Sequence, residues 1–331
     1  MMRTFCLMFF CIASALWSAQ AQQINSGGNY WAIYGGVGAA NYFGDLAPDD
    51  NPASTNISYT RPSVMAGVAR RFNSRMQVEA EFDYLRIMAS DFRNADPNDQ
   101  QHKYRYLRNA NFRNDVFELS VRLAVDLVPS RGYFYRRPMW RPYAFVGVGA
   151  FYHNPKGMTP DGKWVALQPL RTEGQGLTPR YNPDLKYPDK PYSLIQFSVP
   201  FGAGVRYKLT DNLDLSFEFV YHYTFTDYLD DVSGNYADPR DLLEQVGPLA
   251  VIMANRTTET VDPITGKTRN FQPVADSIGG LTTDELGNST VIGFGRGGDQ
   301  RGNSKELDKI ITVGFKLTYI FAGKVRCPKF R

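Results

Sequence analysis

Leu213-Asp214-Leu215-Ser216-Phe217-Glu218-Phe219-Val220-Tyr221-His222-Tyr223-Thr224-Phe225 alternates almost without a break. Every odd position is apolar or aromatic. The even positions are Asp214, Ser216, Glu218, His222 and Thr224, with Val220 the exception. Successive side chains of a strand point to opposite faces, so this run makes a strand with one greasy face and one mostly polar face. The same period returns where Phe117, Leu119, Val121, Leu123, Val125 and Leu127 alternate with Glu118, Ser120, Arg122, Ala124 and Asp126. Near the C-terminus, Ile311, Val313, Phe315, Leu317, Tyr319 and Phe321 alternate with Thr312, Gly314, Lys316 and Thr318.

Eight segments share this pattern, about Tyr30–Asn41, Arg61–Phe72, Met76–Met88, Asn114–Leu127, Trp140–Tyr152, Tyr192–Leu209, Leu213–Asp227 and Lys309–Phe321. Most exceed the ~9–11 residues that a tilted strand needs to cross a bilayer. The connections alternate in length. Residues 42–60, 89–113, 153–191 and 228–308 form long loops, while 73–75, 128–139 and 210–212 are shorter. Long loops on one rim and tight turns on the other are the pattern of an outer-membrane barrel, with the turns in the periplasm. An even strand count returns both termini to the turn side.

Alternation alone does not choose between lipid and water as the solvent of the greasy face, and a soluble β-sandwich is the competing fold. Other features favour the membrane. Arg3, the apolar stretch Phe5–Trp17 and the small-residue site Ala19-Gln20-Ala21 read as a secretory signal peptide over 1–21, leaving 22–331 as the barrel domain. Tyr30, Trp31, Tyr42, Tyr221, Tyr223, Phe225, Tyr319 and Phe321 sit at strand ends, where aromatic girdles belong. The expected fold is therefore all-β: a transmembrane antiparallel up-and-down barrel of eight strands, OmpA-like, with long extracellular loops and a periplasmic tail over 322–331. A count of ten follows if the last loop hides a hairpin, for which Val251–Thr257 and Thr290–Phe294 are the candidates.

With the apolar face on lipid, the lumen receives Glu79, Glu81, Asp83, Glu118, Arg122, Asp126, Arg206, Lys208, Asp214, Glu218 and Lys316. An eight-stranded barrel is just wide enough for side chains to fill. Buried charges need partners, so a plugged lumen is expected, with Glu118, Arg122, Arg206, Glu218 and Lys316 in its ion-pair network. The Gly-x-Gly spots at Gly36, Gly147 and Gly202 lie mid-strand with no helix following, which speaks for close packing rather than a phosphate loop.

Composition excludes several other classes. Aromatics at 14% argue against a disordered chain. A formal charge of +4 over 331 residues argues against a nucleic-acid binder. Past the signal peptide the histidines are His102, His153 and His222. Of these, His222 alone, with Asp227, Asp230 and Asp231 nearby in sequence, suggests a hydrolase; a hydrogen-bonded lumen histidine is the simpler reading. Asp227, Asp230, Asp231 and Asp238 match no calcium-loop spacing, and Asp is common in turns. Arg93, Lys103, Arg105, Arg108 and Arg113, with Tyr104, Tyr106 and Phe112 between them, form a basic loop that would meet lipopolysaccharide phosphates, a partner or solvent. No catalytic set, metal site, cofactor or small-molecule substrate is expected.

Five stretches resemble a known family. They are Asn41-Tyr42-Phe43-Gly44-Asp45-Leu46, Arg108-Asn109-Ala110-Asn111-Phe112-Arg113-Asn114, Pro169-Leu170-Arg171-Thr172-Glu173-Gly174-Gln175-Gly176, Thr226-Asp227-Tyr228-Leu229-Asp230-Asp231-Val232-Ser233-Gly234-Asn235-Tyr236, and Cys327-Pro328-Lys329-Phe330. The set resembles the PorG family of Bacteroidota outer-membrane β-barrels, a part of the type IX secretion system. The resemblance covers nearly the whole chain after the signal peptide, and the Asp-Tyr-Leu-Asp-Asp-Val-Ser-Gly run is its most specific motif. It implies a non-enzymatic part of a protein-export machine that also supports motility in gliding relatives. It further implies association with a periplasmic ring of a PorK-like lipoprotein and a PorN-like protein. The sequence departs from the family in its long fourth loop, where Thr257–Arg301 matches nothing. The alternative is a stand-alone OmpA-like barrel with a structural role or, less in keeping with the residues, a hydrolase.

Partner contacts are expected at Asp227, Asp230 and Asp231 and at Cys327. Cys6 and Cys11 leave with the signal peptide, so Cys327 is an odd thiol in an oxidising compartment, which points to intermolecular pairing. Given the resemblance, the ring lipoprotein is the expected partner of a disulfide.

Overall fold

A computed structural model of the chain describes residues 29–46, 59–99, 102–130 and 134–321. Residues 1–21, read above as a signal peptide, and the tail with Cys327 lie outside the described residues. The barrel strands are β1 (Trp31–Phe43), β2 (Arg61–Arg71), β3 (Met76–Ser90), β4 (Asn111–Asp126), β5 (Trp140–Tyr152), β8 (Ile195–Lys208), β9 (Leu213–Thr224) and β12 (Lys309–Phe321). Each pairs antiparallel with its neighbours in sequence order. β1 pairs with β12, which closes the sheet on itself. The barrel thus has eight strands. No helix among the described residues is long and apolar enough to cross a membrane.

The ten-strand alternative is corrected by the last loop. Its hairpin, β10 (Leu281–Thr283) with β11 (Ser289–Val291), forms a separate sheet outside the barrel. Val251 lies in a helix instead. Two further short strands, β6 (Lys156–Met158) and β7 (Trp164–Ala166), extend the edge of β4 above the barrel.

The parity read from the sequence holds in β9. Phe217 and Phe219 face outward, whereas Asp214, Ser216, Glu218, His222 and Thr224 are buried inside. Val37, Leu119, Val148, Phe197 and Phe315 continue the exposed apolar surface around the barrel. Two girdle assignments are corrected. Tyr30 and Tyr42 share the parity of Ala32 and Tyr34, so they point inward and are buried; Trp31, Phe225, Tyr319 and Phe321 face out.

The long connections fold over one end of the barrel. The second holds α1 (Asp91–Asn94) and α2 (Lys103–Arg108), and Asn109 in the left-handed conformation ends α2. The fourth holds α3 (Pro239–Gln245), α4 (Pro248–Ala254) and α5 (Gln272–Asp276). α3 starts where the Asp238 side chain accepts from the Arg240 amide and Pro239 supplies the first helical residue. Beneath this cap lies the main apolar core, with Leu85, Ile87, Phe112, Val116, Phe151, Leu229, Met253 and Ile310. Leu85 and Ile87 share the inward parity of Glu79 and Glu81 on β3, so one strand face runs from charged to apolar along the barrel axis.

Candidate functional site

The first arrangement of chemical interest is the lumen. Arg122 contacts Glu79 Oε2 and Glu81 Oε1, each at 2.6 Å, and Glu218 Oε2 at 3.6 Å. Lys316 Nζ lies 2.6 Å from Glu81 and 2.7 Å from Glu218. Arg206 bridges Glu79, at 2.9 Å, and Asp126. Glu118 accepts from the Ser198 hydroxyl at 2.7 Å and meets His222 Nδ1 at 2.8 Å. All these side chains are buried. The network spans strands on opposite walls, so the lumen is crossed by charge pairs. Gly147 sits directly opposite Arg122 in the β4–β5 register, and a Cβ there would come within 2.8 Å of Arg122 Cγ. That glycine keeps the room the guanidinium needs.

Three lumen cations escaped the sequence reading. Arg71 pairs with Asp126 at 2.8 Å, Arg141 with Asp214 at 2.5 Å, and Arg137 with Asp214 at 2.6 Å. The parity of β2 and β5 marks Arg71 and Arg141 as inward. Arg137 lies in a connection, where no period announces its direction. Lys208, expected in the lumen, is at the short-turn rim and pairs with Asp211 at 2.7 Å.

The second arrangement is the cap, where all four long connections meet. Arg301 contacts Glu173 Oε1 at 3.0 Å and donates to the Asp231 carbonyl at 2.5 Å. Asp231 accepts from the Thr172 hydroxyl at 2.6 Å and the Tyr192 hydroxyl at 2.7 Å. It adopts φ 70°, a left-handed conformation that Asp tolerates better than most residues. Glu173 also accepts from the Ser233 and Gly234 amides at 2.9 and 3.0 Å. The Tyr42 hydroxyl reaches Asp230 at 2.7 Å and Asp308 at 2.8 Å. Burial pushes Asp231 up to about 6 and Asp227 up to about 8. The Asp227–Tyr236 run is therefore the neck of the cap. Asp230 and Asp231 turn into it, so an outside partner would meet their surroundings rather than their carboxylates.

The basic loop is divided: Arg93 is exposed and Lys103, Arg105 and Arg113 are half-buried, whereas Arg108 turns inward. Arg108 is buried and forked onto Asp91 at 2.8 and 2.9 Å, and its other donors hold the Arg301 and Asp45 carbonyls. Tyr106 and Phe112 belong to apolar cores. A cleft of about 440 Å³ opens beside Tyr104, Arg105, Phe294 and Asn303, but Arg108 and Arg301 in its wall already have carboxylate partners.

The histidines do not join the acidic run. His222 lies between Glu118 and Thr312 inside the barrel. His153 contacts Asn114 and the Ser193 carbonyl, and burial pushes it down to about 4. Among the described residues no three His, Cys, Asp or Glu side chains form a group that could hold a metal ion.

Among solved structures the chain is similar to Neisserial surface protein A (8% identity, 88% of this chain and 97% of that one, TM-score 0.35). It is also similar to OprG from Pseudomonas aeruginosa (8% identity, 89% and 97%, TM-score 0.37). A third is Ail of Yersinia pestis in complex with the heparin analogue sucrose octasulfate (8% identity, 89% and 99%, TM-score 0.35). No curated protein matches the chain. The family model described as the outer membrane protein beta-barrel domain matches residues 9–241, more than half of the chain. The protein thus belongs to that family and is a β-barrel of the outer membrane.

Proposed function

We propose that this barrel is a non-enzymatic component of type IX protein secretion of the PorG type. On this reading its long loops face outward and both termini face the periplasm. There it associates with a ring of a PorK-like lipoprotein and a PorN-like protein. The observation that carries the reading is the closed interior. Charge pairs cross the lumen and an ordered cap covers one end, so an exported chain has no route through the barrel and the protein must act through its surfaces. The residues that resemble the PorG family, Tyr42, Glu173, Asp230 and Asp231, are also those that build the neck of the cap. Cys327, beyond the described residues, is the proposed disulfide partner of the ring lipoprotein, and outer-membrane lipid is the partner of the exposed apolar wall.

The test is a pull-down of tagged protein from native membranes, with a parallel non-reducing gel after thiols are trapped. Recovery of the two ring proteins supports the reading, and a reducible higher-mass band absent in Cys327→Ser supports the disulfide. Recovery of the barrel alone overturns it and leaves the stand-alone OmpA-like barrel, which the cap's internally paired charges also suit. In planar bilayers the reconstituted protein should show no large steady conductance.

A further inference from the structure

Tyr42 places its hydroxyl 2.7 Å from Asp230 Oδ2 and 2.8 Å from Asp308 Oδ1. All three residues are buried. A phenol has one hydrogen to donate and accepts through the same oxygen. It can therefore donate to one carboxylate only. The second contact is a hydrogen bond only when the other carboxyl carries a proton and donates back to the phenol oxygen. The remaining oxygens do not change this count. Asp230 Oδ1 accepts from the Val232 amide at 2.9 Å and Asp308 Oδ2 from the Leu229 amide at 2.8 Å. The arrangement is complete with one proton on the pair and incomplete with none.

Its position matters as much as its chemistry. Asp230 stands near the start of the fourth connection, and Asp308 is the residue just before β12. Tyr42, at the end of β1, holds both, so the two ends of a loop of about eighty residues are tied at one phenol. A Cβ on Gly44 would overlap Asp308 Oδ1 and the Tyr42 hydroxyl, so glycine there permits the close approach. The charged groups facing the pair are Asp45 from the first connection, Arg108 from the second and Asp227 from the fourth. Arg108 is already forked onto Asp91. Glu173 from the third connection faces Asp45 and Asp227, and it is paired with Arg301. Burial, then Asp45, pushes Asp230 well above the usual carboxylate range; burial, then Asp230 and Asp227, does the same to Asp308.

We propose that Asp230, Tyr42 and Asp308 form a proton-held latch that closes the neck of the fourth loop and releases it as the pH rises. Once the shared proton leaves, two buried carboxylates confront each other across one phenol, and one of them has lost its donor. The sign follows from linkage. A carboxyl whose folded pKa lies above its unfolded value gives its full stabilisation below that unfolded value, at about 4, and loses it as the pH climbs through the raised one. The cap is therefore tightest in acid and loosens toward alkaline pH.

The experiment uses the full-length protein in detergent, with the folded barrel verified by its heat-modifiable migration on gels. Protease cleavage within 228–308 is followed from pH 5 to 9, each rate divided by that of an unstructured peptide at the same pH. Where opening is fast, cleavage tracks the open population, and release of one proton raises that population by about tenfold per pH unit. Asp308→Asn keeps the size and gives the phenol a permanent N–H donor. Below the raised titration midpoint its cleavage should rise with pH less steeply than wild type, by about that tenfold per unit, and it should be the more resistant protein at pH 9. Tyr42→Phe should be cleaved faster than wild type already at pH 6. Arg180→Ala, on the exposed face of the cap, should keep the steep rise. If Asp308→Asn does not fold, Asp230→Asn carries the same expectation. Equal slopes in wild type and the Asn variant, or a Tyr42→Phe protein no more open than wild type at pH 6, overturn the latch.

Discussion

The half of the barrel near the short turns and the capped half solve the same problem in different ways. Near the short turns the interior is ionic: Arg122, Arg206 and Lys316 face Glu79, Glu81 and Glu218 in a register fixed by the strands. Toward the long loops the same strand faces turn apolar, and the charges move into the connections above, where Arg108, Arg301, Asp91, Glu173 and Asp231 pair with one another. Ladder hydrogen bonds hold the lumen charges in place whatever the loops do. The cap charges are held only while four separate connections stay docked. The first region should therefore fail globally and the second locally.

Replacing Arg122 by Met tests the first half most severely. It strips Glu79, Glu81 and Glu218 of a shared cation, and a broken buried pair costs about 3–5 kcal/mol. Urea unfolding in detergent should show that loss in the whole barrel; a loss below 1 kcal/mol would mean that water, not Arg122, compensates the carboxylates.

Leu229→Ala probes the other half. Leu229 is fully buried beneath the cap, and such a truncation costs about 2–5 kcal/mol. The cost should appear as faster protease cleavage of the loops with barrel unfolding unchanged. A matching drop in barrel stability would show that cap and lumen unfold as one unit.

Gly147→Ala asks how tightly the lumen is packed. The new methyl would lie 2.8 Å from Arg122 Cγ and 2.5 Å from the Val121 carbonyl oxygen. Overpacking of this kind costs about 1–3 kcal/mol, and an unchanged unfolding midpoint would show that the guanidinium has room to move. The smallest effect belongs to the outer surface of the cap. The exposed pair Arg180–Glu244, at 2.6 Å, should contribute less than about 1 kcal/mol, so Arg180→Ala should leave both melting and loop cleavage close to wild type.

The alternation of Leu213–Phe225 and its counterparts marked eight strand segments and which face is apolar, because a strand's period of two acts on every residue independently of its neighbours in space, while the loop lengths suggested their antiparallel order and a count of ten stayed open until the last loop's hairpin proved separate. Lys309–Phe321 begins and ends where the pattern does, and Glu118, Arg122, Glu218 and Lys316 lie inside by the same parity. The helix starts at Asp238-Pro239 and Gly247-Pro248 went unread, because the long connection around them has no apolar period to frame the capping residues. Tertiary structure alone decided which charges pair, that Arg137 swings from a turn into the lumen, and that Tyr42 gathers Asp230 and Asp308. Those contacts join residues up to 266 positions apart. A local period carries no information about them, because they exist only once the barrel has closed and brought the four loops to one end.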